Sequence, residues 1–260
     1  VSSEAWAVIF WRGFFAVIFT TGYISWRGTL NHDFLQMGKP GWIVAIIGAS
    51  ATAAFLTSFK HTAIANVSVI FASSPLLAIA MAWLWFKERP TTKNLIACIV
   101  AFSGVAIIVQ ASLGSPSLFG DLLALYMTFG MTLFIVIYRR YPDTPAAGPN
   151  VVSSLLLLPV CMYFGAPFDI PWTDFLILVV FGFVFAIASV TLTEGARRIP
   201  AGETALISLI ETPLAPLLAW LVLSEVPPQA TFIGGTIILM AVISSQAPWK
   251  QISKKRKTQP

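Results

Sequence analysis

Charge is scarce in this sequence. Asp, Glu, Lys and Arg make up 10% of its 260 residues, while 57% are hydrophobic and the mean hydropathy is +0.82. A soluble domain carries about 25% charged residues. With only 16 basic and 11 acidic side chains, a chain of this size cannot cover a water-facing surface, so the composition excludes a soluble globular protein and indicates one membrane-embedded bundle. Reactive residues are equally sparse. The two cysteines, Cys98 and Cys161, lie in apolar runs without CxxC or Cys/His spacing, which excludes a disulfide framework or zinc site of the usual kinds and leaves them as small core residues. The two histidines, His32 and His61, fall in or near loops, so neither a metal nor a catalytic role is expected of them. There is no GxxxxGK[ST] and the polar loops are too short for a nucleotide domain, which argues against direct ATP-driven pumping. HExxH and GxSxG are absent as well. No cofactor is expected. The chain opens at Val1 almost directly into an apolar run, with no charged segment or small-residue cleavage site before it, so no signal peptide is read.

Long apolar runs are what the sequence has instead. A membrane helix needs about 20 mostly apolar residues. Nine such segments can be laid out, at about 5–26, 41–59, 63–86, 94–111, 118–138, 151–167, 172–193, 202–224 and 229–248. They are continuous rather than alternating, unlike barrel strands, and a lipid-embedded backbone must pair its polar groups within the segment. The expected fold class is therefore an all-α polytopic membrane protein with nine transmembrane helices.

The basic residues fix an orientation. Fourteen of the 16 lie at one set of span ends: Arg27, Lys39, Lys87, Arg89, Lys93, Arg139, Arg140, Arg197, Arg198 and five in the tail; Lys60 lies at the other set and Arg12 within a span. By the positive-inside rule the basic side is cytoplasmic, as is the C-terminus, and the loop 166–174 is external. Trp26, Trp42, Trp172 and Trp249 sit near span ends, as interfacial anchors do. The tail QISKKRKTQP reads as a juxtamembrane cluster facing anionic lipid rather than a nucleic-acid patch. The expected partners are the lipid bilayer and a small-molecule substrate, with protons an open question, and no nucleic acid. Oligomeric state is not legible.

Two segments resemble each other. HTAIANVSVIFASSPLLAIAMAWLWFKERP and RIPAGETALISLIETPLAPLLAWLVLSEVP each open on a polar turn and carry a mid-span proline, Pro75 or Pro213. Each ends in a glutamate and a proline: Glu88 with Pro90, and Glu225 with Pro228. At a fixed offset only Ala63 with Ala201 and Leu76 with Leu214 also match. The first ends in basic KERPTTK and the second in SEVPPQ, which has no basic residue. Opposite charge bias on similar segments is the pattern of an inverted-topology repeat. It divides the chain into a first repeat at 1–112 with four helices, a second at 118–248 with five, and a basic cytoplasmic tail at 249–260. Equal halves would leave one helix missing before residue 5.

Intramembrane ionisable groups cost about 2.5–3.5 kcal/mol on insertion scales and mark candidate sites. Arg12 and Glu211 lie about mid-span, counting residues at about 1.5 Å each, and are expected to face the bundle interior, where they pair or line one polar cavity. Three readings of Glu211 stand open: a contact for a cationic substrate group, a proton carrier, or a hydrogen-bonded residue beside the bend at Pro213. Its repeat counterpart is Ser73, so the carboxylate is not a symmetric scaffold feature. Pro75 and Pro213 each free a carbonyl one turn earlier and bend their helices. Such breaks flank midplane sites in transporters, though a fixed packing kink is the plain alternative. Ser73, Ser74 and Thr212 precede the prolines and are placed to satisfy the loosened backbone. Asn66 and Tyr126 complete the candidate substrate or proton pathway. Asp121 is expected at a helix start, where the dipole favours it.

These features resemble the drug/metabolite transporter superfamily, in its EamA-like ten-helix branch. The resemblance rests on FWRGFFAVIF at 10–19, SPLLAIAMAWLWFKERPT at 74–91, FGDLLALYM and YRR within 119–140, and SLIETPLAPLLAWLVLSE at 208–225. It covers the chain from the family's second helix to its tenth, and LSEVPP departs from the family's usual LGE. The resemblance implies a 5+5 inverted repeat lacking its first helix and natural termini in the cytoplasm. That helix is expected to border the central cavity. As to function, the resemblance implies secondary export of small metabolites or drugs, amino acids and related compounds among them, across a bacterial inner membrane, and no enzyme activity. A membrane-embedded enzyme using Glu211 as acid or base, or a non-transporting scaffold, are the alternatives.

Overall fold

The computed structural model describes residues 5–62, 64–109, 117–223 and 229–246. Ala63, Glu225, Pro228, Trp249 and the basic tail lie outside the described residues. Among the described residues eleven α-helices follow one another: α1 (Ala5–Arg27), α2 (Gly38–His61), α3 (Ile64–Ala72), α4 (Ser74–Phe86), α5 (Thr92–Val109), α6 (Leu118–Arg140), α7 (Ala147–Phe164), α8 (Trp172–Arg198), α9 (Ala201–Ser208), α10 (Glu211–Leu223) and α11 (Gln229–Gln246). A π-helical turn, Asn31–Leu35, joins α1 to α2. No strand occurs among the described residues. Each expected span corresponds to one helix or to a pair of helices end to end. Seven of these, the α3–α4 pair included, are long and apolar enough to cross a membrane, and Thr92–Ile108 is a shorter apolar helix.

Helix ends follow local chemistry. Ser117 caps α6, its hydroxyl accepting from the Gly120 N–H at 3.5 Å, with Asp121 in the first turn and Arg139 and Arg140 in the last. Negative charge at the start and positive charge at the end both complement the helix dipole. The same arrangement holds in α8, with Asp174 first and Arg197 and Arg198 last. The helix α4 stops at Lys87, which takes the left-handed conformation (φ 60°) while the Glu88 N–H reaches back to the Ala82 carbonyl. That closure satisfies a terminal carbonyl at the expense of a strained non-glycine residue.

Span 1 (α1) lies on α7 and α8, and α2 lies on α7 and α6. The helix α5 packs along α11. There Gly104 and Gly234 face one another so closely that a Cβ on Gly234 would stand 2.3 Å from the Gly104 carbonyl oxygen. Small residues at such crossings let membrane helices approach to backbone contact. One apolar cluster joins α5 and α11 to α3 and α9 through Ala72, Ala101, Val105, Leu206, Leu209 and Ile238. A second joins α2, α4, α6, α8 and α9 through Val44, Ala78, Val136, Tyr138, Ala196 and Ala205. The outward faces remain apolar, with Ile46, Leu176, Val184, Ile243 and others exposed, as lipid contact requires.

Candidate functional site

The two repeat-related spans are interrupted, not merely bent. In the first, α3 ends at Ala72 and α4 begins at Ser74, with buried Pro75 in its first turn. Proline carries no N–H and tolerates a helix start better than a helix interior. Ser73 bridges the gap: its N–H and its hydroxyl both reach the Ile70 carbonyl, at 3.1 and 2.6 Å, and its own carbonyl accepts from the Leu77 N–H. Ser73 thus closes the last turn of α3 on Ile70, one residue before the Phe71 carbonyl that Pro75 deprives of its helical donor. In the second span α9 ends at Ser208 and α10 begins at Glu211. The N–H groups of Leu209, Ile210 and Thr212 donate three residues back, to Leu206, Ile207 and Leu209. This tightened 3₁₀-type geometry absorbs the loss of the Pro213 N–H.

The two breaks meet. Ala72 and Leu76 on one side, and Leu206, Leu209 and Ile210 on the other, belong to a single apolar cluster. Ser73 and Glu211 border this junction from the two repeats. Glu211 is the first residue of α10 and is exposed, and among the described residues no hydrogen bond or ion pair reaches its carboxylate. Its setting gives no support to the reading of a hydrogen-bonded structural residue. Pro213 is buried, packed where a Cβ on Gly235 would meet its own Cβ at 2.9 Å.

Arg12 has a different setting. Its guanidinium carbon lies 3.9 Å from the centre of the Phe185 ring and 5.8 Å from that of Phe181, both on α8. Its Nε is buried without a hydrogen-bond partner. The position is created by Gly182: a Cβ there would lie 2.4 Å from the Phe15 Cβ and 3.1 Å from the Arg12 carbonyl oxygen. Among the described residues no ion pair joins Arg12 to Glu211. An aromatic face, not the carboxylate, receives the cation.

The remaining candidates separate. Tyr126 donates from its hydroxyl to Ser50 Oγ at 2.8 Å and so ties α6 to α2. Asn66 donates to Thr62 Oγ1 at 3.1 Å, and that hydroxyl donates to Asp121 at 2.7 Å. Asn66 therefore belongs to a polar knot at the α2–α3 turn and the start of α6. Ser74 is buried beside Pro75, and Thr212 is half-buried in the first turn of α10.

Polar links that the linear chain does not advertise cross-tie the basic end. Arg139 donates from Nε and Nη2 to Glu88 Oε1 at 3.1 and 3.0 Å, joining α6 to the segment after α4. Asn94 on α5 donates to Glu203 on α9 at 2.5 Å. Both links run between the repeats. Their partners are 51 and 109 residues apart, and only the position of each charge at a span end hinted at a role. Among the described residues no group of His, Cys, Asp and Glu is gathered as a metal site would need.

Comparison with known proteins agrees with this architecture. The EamA-like transporter family matches residues 2–110 and 118–245. An uncharacterised transporter from the sor 3' region of Acidianus ambivalens is 28% identical over 52% of this chain, and the matched part spans only 54% of that relative's own length. The uncharacterised transporter YwfM of Bacillus subtilis is 25% identical over 81% of this chain and 74% of its own. A riboflavin transporter of Vibrio cholerae is 25% identical over 65% of this chain and 58% of its own. A solved crystal structure shares the fold, with a TM-score of 0.82 at 17% identity over 94% of this chain and 88% of that one.

Proposed function

The chain belongs to the EamA-like transporter family, and on that footing we propose that it is a secondary transporter exporting small organic metabolites or drugs by alternating access. Amino acids and related compounds are the expected substrates, the bacterial inner membrane the expected site, and the basic end the cytoplasmic one. Riboflavin, carried by the Vibrio relative, is a small organic solute of the same broad class.

The observation that carries this reading is an asymmetry between the interrupted spans. Repeat symmetry relates α3 to α9 and α4 to α10. The half-helix α4 packs along α9, at the basic end, where Gly202 sits against Ile79. Symmetry would match that contact with one between α3 and α10. Among the described residues α3 lies instead on α5 and α6, α10 lies on α11, and α3 and α10 have no comparable packing. Inverted repeats that adopt unequal conformations are how such transporters expose one side at a time. This arrangement fits a state closed at the basic end, where Glu88–Arg139 and Asn94–Glu203 act as the closing links. Glu211 and Ser73 then border the path from the opposite side. The unpartnered carboxylate suits a substrate ammonium group or a transported proton.

The reading is tested by expressing the protein in cells challenged with a panel of toxic amino-acid analogues and flavin analogues. Raised tolerance to a defined subset, abolished by Glu211→Gln at equal expression, is the expected result. Unchanged tolerance across the panel, together with no counterflow of the parent compounds in liposomes, would leave the scaffold alternative in its place.

A further inference from the structure

Two cavities along the α1–α8 seam share a wall. The first, of about 440 Å³, lies at the basic end and is lined by Arg27, His32, Asp33, Glu194, Arg197 and Arg198 among others. The second, of about 380 Å³, runs deeper between the helices and is apolar, with Phe19, Phe183, Ala186 and Ile187 in its lining. Tyr23 and Val190 line both, so the two spaces adjoin at the level of those residues.

The lining follows helical spacing. On α8, Phe183, Ile187, Val190, Glu194 and Arg198 fall on one stripe, apolar first and charged last, and on α1 Phe19, Tyr23 and Arg27 do the same. From Phe183 to Thr191 the apolar part covers about 12 Å at 1.5 Å per residue. One leaflet of hydrocarbon is about 15 Å deep. Tyr23 stands at the border with its ring in the groove, and its hydroxyl accepts from Arg27 Nη1 at 3.0 Å. An amphipathic aromatic at such a border is the usual interfacial arrangement.

Charge decides what the upper pocket attracts. Its carboxylates are already engaged. Asp33 is buried and accepts from the Thr29 hydroxyl at 2.6 Å, and Glu194 pairs with Arg197 and Arg198, each at 2.8 Å. Three arginines against two carboxylates leave the pocket net positive, with His32 beside it. The Arg198 side chain remains 71% exposed despite its ion pair, and Arg27 is exposed. Each holds only part of its guanidinium in a contact, Arg27 through Nη1 to Tyr23 and Arg198 through Nη2 to Glu194, and keeps further N–H donors for an anion.

We propose that this seam is a binding site for one anionic phospholipid, with its phosphate between Arg27 and Arg198 and an acyl chain in the groove below Tyr23. Basic pockets between membrane helices recognise anionic headgroups, and each nearby cation strengthens binding by about fivefold. Tyr23, Phe183 and Ile187 in the lining are exposed, so the groove opens outward from the α1–α8 contact, and the proposal is independent of the transport reading.

The experiment is native mass spectrometry of the detergent-purified full chain, titrated with phosphatidylglycerol, phosphatidylcholine or glycerol 3-phosphate. Phosphatidylglycerol should bind with one saturable stoichiometry, at least about fivefold more tightly than phosphatidylcholine. Arg27→Gln combined with Arg198→Gln should weaken it about 25-fold. Val190→Trp, which fills the junction of the cavities, should weaken the lipid while leaving the arginines in place. Lys87→Gln, a cation at the same end but outside the pocket, should change nothing. Equal binding of the two lipids, or an unchanged phosphatidylglycerol affinity in the arginine pair or in Val190→Trp, would overturn the proposal. Displacement by glycerol 3-phosphate at matching concentration would also overturn it, since the site would then take a soluble phosphate. Thermal unfolding without lipid separates a lost site from a lost fold, and a variant that fails to fold is replaced by Ile187→Trp.

Discussion

Gly182→Ala is the most demanding test of the packing that holds Arg12 in place. The added Cβ would stand 2.4 Å from the Phe15 Cβ and 3.1 Å from the Arg12 carbonyl oxygen. Carbon atoms sit comfortably at about 3.5–4.0 Å, so α1 and α8 must part by about 1.2 Å at this crossing. Neither obstacle is the far end of a flexible side chain: one is a Cβ, the other backbone. Overpacking of this kind costs about 1–3 kcal/mol. For a chain of this length that corresponds to a loss of about 2–4 °C in Tm per kcal/mol. The same displacement draws Arg12 away from the Phe185 ring, now 3.9 Å distant. The assay is tryptophan-fluorescence melting of purified protein in detergent. Gly195→Ala is the internal control, because a Cβ there meets nothing within 4 Å in the same helix, and alanine is the better helix former by about 0.5–1 kcal/mol. Gly182→Ala should therefore melt several degrees below wild type and Gly195→Ala at or slightly above it. Equal melting of the two variants would refute the close crossing of α1 and α8.

Other consequences are more modest. The Glu88–Arg139 pair is partly exposed, at 20% and 29%, so a double-mutant cycle with Glu88→Gln and Arg139→Gln should give a coupling of at most about 1 kcal/mol that shrinks with added salt; a salt-independent coupling would contradict a solvent-screened ion pair. Phe185→Leu should destabilise the protein by about 0.5–2 kcal/mol more in wild type than in an Arg12→Met background, the difference being the cation–ring attraction. Equal cost in both backgrounds, read by thermal melting, would show that Phe185 only fills space.

Much of the fold is legible because hydropathy and charge placement are long-range averages over twenty residues. The nine segments reappear as helices or helix pairs, with boundaries moved by a few residues. The helix α8 extends to Arg198 because Thr193, Glu194, Arg197 and Arg198 continue the helical pattern into the polar pocket, beyond the apolar run that marked it. Pro149 in the first turn lets α7 begin at Ala147, and the helix passes through Pro159 unbroken. Prolines 75 and 213 were readable as bends, yet the chain breaks just ahead of each one, because the tight turns at Ser73 and Leu209–Ile210 form on the N-terminal side of the ring. The site was less legible. Arg12 was expected to pair with Glu211 or to line a polar cavity with it; it lies instead on the Phe185 ring, which hydropathy cannot single out among 20 phenylalanines. Asn66 looked like a cavity residue because it is polar within an apolar span; it serves a local turn. The links Glu88–Arg139 and Asn94–Glu203 depend on which span ends converge, information held in the packing of helices rather than in any local pattern.

The central claim is that the junction of the two broken spans is the transport path, with Glu211 as its working group. It is tested most directly by counterflow of a labelled substrate, identified from the tolerance panel, into liposomes containing wild-type protein or Glu211→Gln, with Arg12→Gln alongside. The account predicts saturable counterflow in wild type and its loss, by at least about tenfold, in Glu211→Gln with the melting temperature retained. Wild-type rates and an unchanged pH profile in Glu211→Gln would contradict it.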